Sequence, residues 1–485
     1  MSDRHGETAF RVAVVGAGAA GTLVCAALLN AASAGGLRVR VDLVDPSPDT
    51  GRGVAYRTPD PRHLLNVPAG RMSATDDADD FRRWLSAREG RAVGPGEYVP
   101  RARYGGYLAD RLRSAASDAA PYGSLRRVHD RAEGVRPRDG AVRLSLRGGA
   151  VLESDAAVLA LGHLAPRTGW APPALRASGR FVADPWWPGV PASIPGDRDV
   201  LLVGTGLTMC DMARSLVRPG RTVYAVSTHG LLPAAHAPAP AAPLAPCPPP
   251  EVRSLAALER LVMLRAARAR RVCGDWRPAL DALRPHTTAV WQRLSAAEQR
   301  EFLRTRLRWW EVHRHRMPPD THAAVRGALG TGGLRVLRGA LSAEDFRVTA
   351  SGEVRVRLPA PYAGWTGPLG AVVNCTGTEG RVTEAADPLV RGLLAAGLAR
   401  PGPHALGFDT APDGRLLPAF PPPAPGDPAP LWTLGSLRRG NLWETTAIPE
   451  IRVQANRIAT AVVALLAGHR PAERQPTTPY LAQPV

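Results

Sequence analysis

Phe10-Arg11-Val12-Ala13-Val14-Val15-Gly16-Ala17-Gly18-Ala19-Ala20-Gly21 is the stretch whose reading decides the fold. The apolar run Phe10 to Val15 reads as a buried strand, and the run Thr22 to Leu29 after the glycines is compatible with a helix. Glycine in such a turn lets backbone amides approach a pyrophosphate at the helix N-terminus. A second apolar strand, Val39 to Val44, ends in Asp45, 24 residues past Gly21. A βαβ unit places there the carboxylate that accepts hydrogen bonds from an adenosine ribose. Glycine turns alone occur in many α/β proteins that bind nothing. Strand, turn, helix and acid in this order predict a dinucleotide site at Gly16, Gly18, Gly21 and Asp45.

A second turn, Gly204-Thr205-Gly206-Leu207-Thr208, follows the apolar run Asp199 to Val203. Met209 stands where a third glycine would be, so this copy is the weaker fingerprint. Thr222 to Ser227 reads as the next strand, and a nicotinamide ribose would be recognised at its end, Ser227-Thr228-His229. A 2′-phosphate usually pairs with arginine, so His229 leaves NADPH and NADH both open. Two dinucleotide turns in one chain suggest a flavin beside a nicotinamide. The expected fold class is α/β with two Rossmann-like domains.

The chain has 485 residues, enough for two or three domains with sizeable cores. All 61 basic residues are arginine, which excludes a lysine Schiff base and a P-loop lysine. The net charge of +18 is spread along the chain rather than gathered in a patch, which argues against nucleic acid as the partner. No run of about 18 apolar residues suggests a membrane span. Met1 to Thr8 is polar and resembles neither a signal nor a transit peptide, so a cytoplasmic location is expected. Cys25, Cys210, Cys247, Cys273 and Cys375 form no CxxC pair and no zinc-like spacing; no metal site is expected, a redox disulfide is disfavoured, and buried packing is the simpler role.

Later strands are read at Val142 to Leu146, Ala156 to Leu161, Leu334 to Leu337, Phe346 to Thr349, Val354 to Leu358 and Ala371 to Asn374. Ala234 to Pro250 is too rich in proline for regular helix or central strand. Ser254 to Arg271 carries helical apolar spacing, and Ser295-Ala296-Ala297-Glu298 announces a further helix by a capping box, expected to stop before Pro318-Pro319. A last helix, from about Pro449 to Leu466, would offer its free N-terminal amides to a flavin's electron-rich edge.

Several blocks together resemble the FAD/NAD(P)-binding family that includes flavin-dependent urate hydroxylase and L-aspartate N-monooxygenase. They are Gly51-Arg52-Gly53-Val54-Ala55-Tyr56, His63 to Ala69 with Met72-Ser73, Val99-Pro100-Arg101 with Tyr104-Gly105, the second glycine turn with Asp211, Gly230 to Pro233 with His236, Trp309-Trp310 with Arg314 to Arg316, and Gly440 to Glu444 with Pro449 to Arg452. The resemblance implies a nicotinamide domain inserted into an FAD domain. The expected order is an FAD-binding first part over 1–190, a nicotinamide-binding first part with the Pro-rich loop over 191–250, a helical insert over 251–330, a nicotinamide-domain return over 331–376 and an FAD-domain last part over 377–485. It further implies that NADPH or NADH reduces FAD, dioxygen adds to the flavin, and one oxygen passes to a small substrate. Thr228-His229 departs from members that carry arginines there.

For FAD, the resemblance adds Gly53, His63, Asn66, Val67, Met72, Gly162, Trp443 and Glu444 to the glycine turn and Asp45; for the nicotinamide nucleotide the expected residues are Gly204, Gly206, Leu207, Thr208, Ser227 and His229. Asn66 is the candidate catalytic side chain. Arg101, Arg103 and Arg316 are candidates for holding an anionic substrate, against a solvated or phosphate-facing role for Arg101 and Arg103 and a helix-dipole role for the cluster around Arg316. The leading function is a single-component flavin monooxygenase of a small polar metabolite, by N-hydroxylation or ring hydroxylation. An NAD(P)H oxidoreductase without oxygen insertion and a non-enzymatic nucleotide-binding protein are the alternatives. Substrate identity and oligomeric state do not follow from the sequence.

Overall fold

A computed structural model describes residues 9–138, 140–187, 189–237, 252–420 and 429–468. Met1 to Thr8, Cys247 and the Pro-rich stretch from 238 onward lie outside the described residues.

The first sheet has five parallel strands in the order Leu431–Thr433, Ala156–Leu159, Phe10–Val15, Val39–Val44, Gly123–Val128. Val12, Val14, Val41 and Leu43 are fully buried, as expected for a sheet covered on both faces. The helix Ala19–Ala34 packs with the helices Arg101–Asp118 and Ile448–Ala467 on one face. A three-stranded antiparallel sheet, Ala132–Arg138, Ala141–Leu146 and Val151–Ser154, builds the hydrophobic core of the other.

The second sheet is also five-stranded and parallel, ordered Leu334–Arg338, Val223–Ser227, Val200–Val203, Ala371–Asn374, Phe181–Val182. Its edge strand Phe181–Val182 moves the expected boundary at residue 190 towards the N-terminus, because backbone pairing with Ala371–Asn374 already binds this segment to the second sheet. The chain leaves the first sheet after Ala156–Leu159 and leaves the second after Ala371–Asn374. The two crossing segments meet side by side in an antiparallel bridge between Leu164 and Glu379.

The expected helical insert lies between the strands Val223–Ser227 and Leu334–Arg338. The capping box at Ser295 forms as read: the serine hydroxyl accepts from the Glu298 amide, and the Glu298 carboxylate accepts from the Ser295 amide at 3.0 Å. The helix that follows is not uniform. One π-helical turn, Phe302–Arg306, separates Ala296–Glu301 from Leu307–Arg314. No helix among the described residues is long and apolar enough to cross a membrane. Cys25, Cys210 and Cys375 are buried, and desolvation drives all three thiols upward in pKa.

The two glycine turns obey one steric rule. Gly16 and Gly204 have φ of 105° and 115°, in the region that favours glycine. A Cβ at Gly16 would stand 2.4 Å from the Ala160 carbonyl oxygen, and one at Gly204 would stand 2.2 Å from that of Cys375. Gly204→Ala should therefore destabilise the protein by about 1–3 kcal/mol. Gly327→Ala, inside the helix Pro319–Gly330 with open space around it, should stabilise by about 0.4–1 kcal/mol. Thermal unfolding of both variants checks the pair.

Candidate active site

The helix Ala19–Ala34 starts at Gly18 and the helix Leu207–Leu216 at Gly206, and neither N-cap makes a side-chain capping bond. Their first-turn amides and positive dipole ends thus have no capping side chain among the described residues, which leaves the donor set a pyrophosphate requires. Backbone approach is close around the first cradle: a Cβ at Gly21 would fall 1.7 Å from the Gly16 oxygen, and one at Gly53 would fall 3.0 Å from the Gly18 Cα. The residues present therefore fit a dinucleotide at each turn. Asp45 tightens the first turn by accepting from the amides of Ala17 and Ser47, each at 2.7 Å, and it borders the cleft.

That cleft, about 1590 Å³, runs from Gly16 and Asp45 to Gly204–Thr208 and Ser227–His229. A second cavity of about 490 Å³ shares a wall with it that includes His163, Thr208, His315 and Arg439. Asn66, Val67 and Met72 face the second cavity from the first domain, and Trp443 to Ile448 close it at the start of the helix Ile448–Ala467.

Several expected residues have structural partners that redefine them. His63 is buried; its Nδ1 accepts from the Thr58 hydroxyl at 2.7 Å and its Nε2 donates to the Asp211 carbonyl at 3.1 Å and to Ser215 Oγ at 2.9 Å. It ties the first domain to the helix Leu207–Leu216 and lines neither cavity. Arg101 faces the second cavity but is bound to Asp211, with side chains 17% and 6% exposed, and lies over Trp186 at 4.9 Å. Arg103 is 59% exposed, beside Glu89 at 3.7 Å and away from both cavities. Arg316 is buried at the cavity wall in an ion pair with Asp281. Gly162 turns the crossing segment at φ 65° and its carbonyl accepts from the Ser436 hydroxyl.

Trp443 has φ 64° and ψ −73°, a costly conformation for a bulky residue. The helical insert holds it there: Trp291 stacks on it at 4.7 Å and donates from its indole nitrogen to the Gly440 carbonyl at 2.7 Å. Arg439 lies 4.5 Å from the Trp443 ring, and Glu444 accepts two bonds from Arg314 at 2.8 and 2.6 Å.

Two functional candidates escaped sequence reasoning. Arg308, on the helix after the π turn, donates to the Leu231 carbonyl at 3.0 Å and stands over the second glycine turn, 4.0 Å from where a Gly206 Cβ would be. Arg71 lines the second cavity and has no ion-pair or side-chain hydrogen-bond partner among the described residues, unlike Arg101, Arg284, Arg314, Arg316 and Arg439 there. In a chain whose every base is arginine, no local signal separates a free guanidinium from a paired one.

The histidines near the second cavity are held neutral. Burial, with Arg316 adding, pushes His236 down to about 4, and its Nε2 donates to the Asn66 carbonyl at 2.9 Å. Burial also lowers His63, against the opposing pull of Asp211. His163 and His315 are open to the cleft itself, yet enclosure by protein and the neighbouring arginines lower both. Burial raises the Asp211 carboxyl, and Arg101 opposes it.

Fold and site together define an α/β protein with two Rossmann-like dinucleotide cradles facing one cleft. Residues 13–164 match the FAD-NAD(P)-binding family. L-aspartate N-monooxygenase (nitrosuccinate-forming) from Streptomyces davaonensis is 32% identical over 199 residues, covering 32% of this chain and 30% of that protein. Nitrosuccinic acid synthase from Aspergillus oryzae is 35% identical over 178 residues, 33% of this chain and 27% of that protein. The matched stretch thus spans less than a third of either relative. The reduced form of ornithine hydroxylase from Pseudomonas aeruginosa has the same fold, with a TM-score of 0.62 at 16% identity, over 95% of this chain and 100% of that one.

Arg101→Ala would strand the Asp211 carboxylate at the domain junction and should cost about 3–5 kcal/mol in urea unfolding. Arg103→Ala should stay within about 0.5 kcal/mol of the parent. The histidines set a pH window. The unfolded chain binds protons near pH 6.5 while folded His236 resists them to about 4, so the stability present above pH 6.5 is lost as pH falls through that interval. The urea midpoint should drop across it, and His236→Gln, which still donates to Asn66, should flatten the drop.

Proposed function

We propose that this protein is an FAD-dependent monooxygenase that uses NADPH or NADH and dioxygen to hydroxylate the nitrogen of a small amino acid or amine. The observation that carries the reading is the junction of the two cavities: the cleft that joins both glycine cradles opens, past His163, Thr208 and His315, onto a chamber of small-molecule size. FAD, when bound, supplies electron acceptance from the nicotinamide and the activation of oxygen. The resemblance to aspartate N-monooxygenase over the matched third of the chain favours nitrogen as the reacting atom.

The protein's own contribution is positioning and exclusion of water. Gly16, Gly18, Gly21 and Asp45 hold the FAD diphosphate and ribose; Gly53, Val67, Met72, Trp443 and the amides at Ile448 line the flavin side. Gly204, Gly206, Leu207 and Thr208 receive the nicotinamide nucleotide, with Arg308 over its diphosphate. Asn66 presents its amide to the flavin or the substrate from a loop pinned by His236. Arg71 takes the substrate carboxylate, since the arginines around it already have acidic partners. The protein's proposed location is the cytoplasm.

Mixing reduced protein with oxygen in a stopped-flow spectrometer tests the reaction class. A transient absorbing species should precede flavin reoxidation, and immediate peroxide release without it would point to an oxidoreductase that inserts no oxygen. Arg71→Ala should raise KM for an amino-acid substrate by about 10- to 100-fold, and Asn66→Ala should lower the fraction of NAD(P)H oxidation that yields hydroxylated product.

A further inference from the structure

A series of aromatic side chains runs from the second cavity to the protein surface. Tyr56 lines that cavity at the end of the short helix Gly53–Tyr56. Tyr104 and Tyr107 follow on the helix Arg101–Asp118, and Phe81 and Trp84 on the helix Asp80–Glu89. Ring centroids stand 4.9 Å apart from Tyr56 to Tyr104, 5.4 Å from Tyr104 to Tyr107 and 5.5 Å from Tyr107 to Trp84. These are the spacings of rings packed one against the next, and Trp84 ends the series half-buried.

Packing accounts for the rings but not for the hydroxyls. Phe81 fills its place in the same cluster with no polar atom, 4.9 Å from Tyr104 and 5.0 Å from Tyr107. The Tyr104 side chain is wholly buried, and its hydroxyl has no hydrogen-bond partner among the described residues. A phenylalanine there would fill the same space without the cost of a buried, unpaired oxygen. Outward from Tyr104 the polar atoms are paired, and with carboxylates. The Tyr107 hydroxyl donates to Asp80, and the Trp84 indole nitrogen donates to Asp110 at 2.9 Å. Arg88 and Arg113 stand beside Asp110 and favour its ionised form.

A phenol or an indole N–H that loses an electron becomes strongly acidic, so a ring with a carboxylate beside it is easier to oxidise than one without. Tyr104 has no such base; Tyr107 and Trp84 do. We propose that Tyr56, Tyr104, Tyr107 and Trp84 form a relay that carries single oxidising equivalents from the second cavity to the surface and so spares the site when activated oxygen misses its substrate. The inference rests on the reading of the protein as an oxygen-activating flavoenzyme. The oxidant is a hydroxyl radical, which peroxide yields with hydroxide when it takes one electron from the reduced cofactor. One electron leaves the Trp84 indole, whose N–H bond breaks as the proton passes to Asp110. Tyr107, Tyr104 and Tyr56 hand the electron inward, and the radical takes it up with a solvent proton to give water. A thiol in solution restores Trp84 by giving it a hydrogen atom.

The test uses the FAD-loaded protein. A flash that excites the bound flavin supplies a one-electron oxidant in place, and time-resolved absorption with electron paramagnetic resonance reads the radicals. The parent should give a tryptophanyl radical that is lost in both Trp84→Phe and Tyr104→Phe. Tyr104→Phe removes one unpaired hydroxyl and no ring, so its melting temperature and hydroxylation rate should match the parent. After prolonged turnover with peroxide release, peptide mass spectrometry should find oxidised Trp84 in the parent, and oxidised Met72 and Trp443 at the cavity in Tyr104→Phe. A radical that survives in both variants belongs to a cavity tryptophan; that result, or no radical in a protein that holds FAD, overturns the inference and leaves the monooxygenase reading standing. Failure to bind FAD overturns both.

Discussion

The close packing of one glycine against one carbonyl, repeated in each domain, is the constraint on which the rest depends. Gly16 lies on Ala160 and Gly204 on Cys375, at the points where the chain quits its sheet for the other domain. Any side chain at either glycine would push the leaving strand away from the turn. The phosphate cradle and the interdomain crossing are therefore one unit in each half. Because the two crossings also pair with each other at Leu164 and Glu379, the two cradles are held facing a common cleft.

A polar junction reinforces that arrangement. His63, fixed as a single neutral tautomer by Thr58 on one nitrogen and the Asp211 carbonyl on the other, and the Arg101–Asp211 pair both join the first domain to the helix behind the second cradle. Buried charge of this kind contributes little net stability, but losing one partner is costly, which favours a single relative placement of the domains. The helical insert supports the site from the opposite side. It stacks Trp291 on Trp443, binds Glu444 through Arg314 and sets Arg308 above Gly206, so packing residues and cleft residues occupy successive turns of the same helices. The π turn Phe302–Arg306 falls between them, and Leu303, Leu307 and Trp310 pack together against the cluster that holds Trp291, Phe302 and Trp443.

Local pattern made much of the fold legible. The strand Phe10–Val15, the strand Val39–Val44 with its terminal Asp45 and the capping box at Ser295 are all short-range signals, because apolar periodicity, turn glycines and capping pairs act over a few residues. The edge strand Phe181–Val182 was not legible: two residues carry no periodicity, and their pairing is with a strand almost two hundred positions away. Of two neighbours in one motif block, Asn66 lines the second cavity and His63 bonds across the domain junction, a difference that only the fold decides.

The sequence by itself determined that two dinucleotide cradles exist, since glycine spacing and strand ends are local properties of the chain. Which arginines are free was decided only by the tertiary structure. Arg101, Arg103 and Arg316 look in sequence like any other of the 61 basic residues, and so do Arg71 and Arg308. A guanidinium is neutralised or left available by which carboxylate the fold brings beside it. Asp211 and Asp281 claim Arg101 and Arg316, Glu89 stands beside Arg103, and Arg71 lines the second cavity without an acidic partner among the described residues.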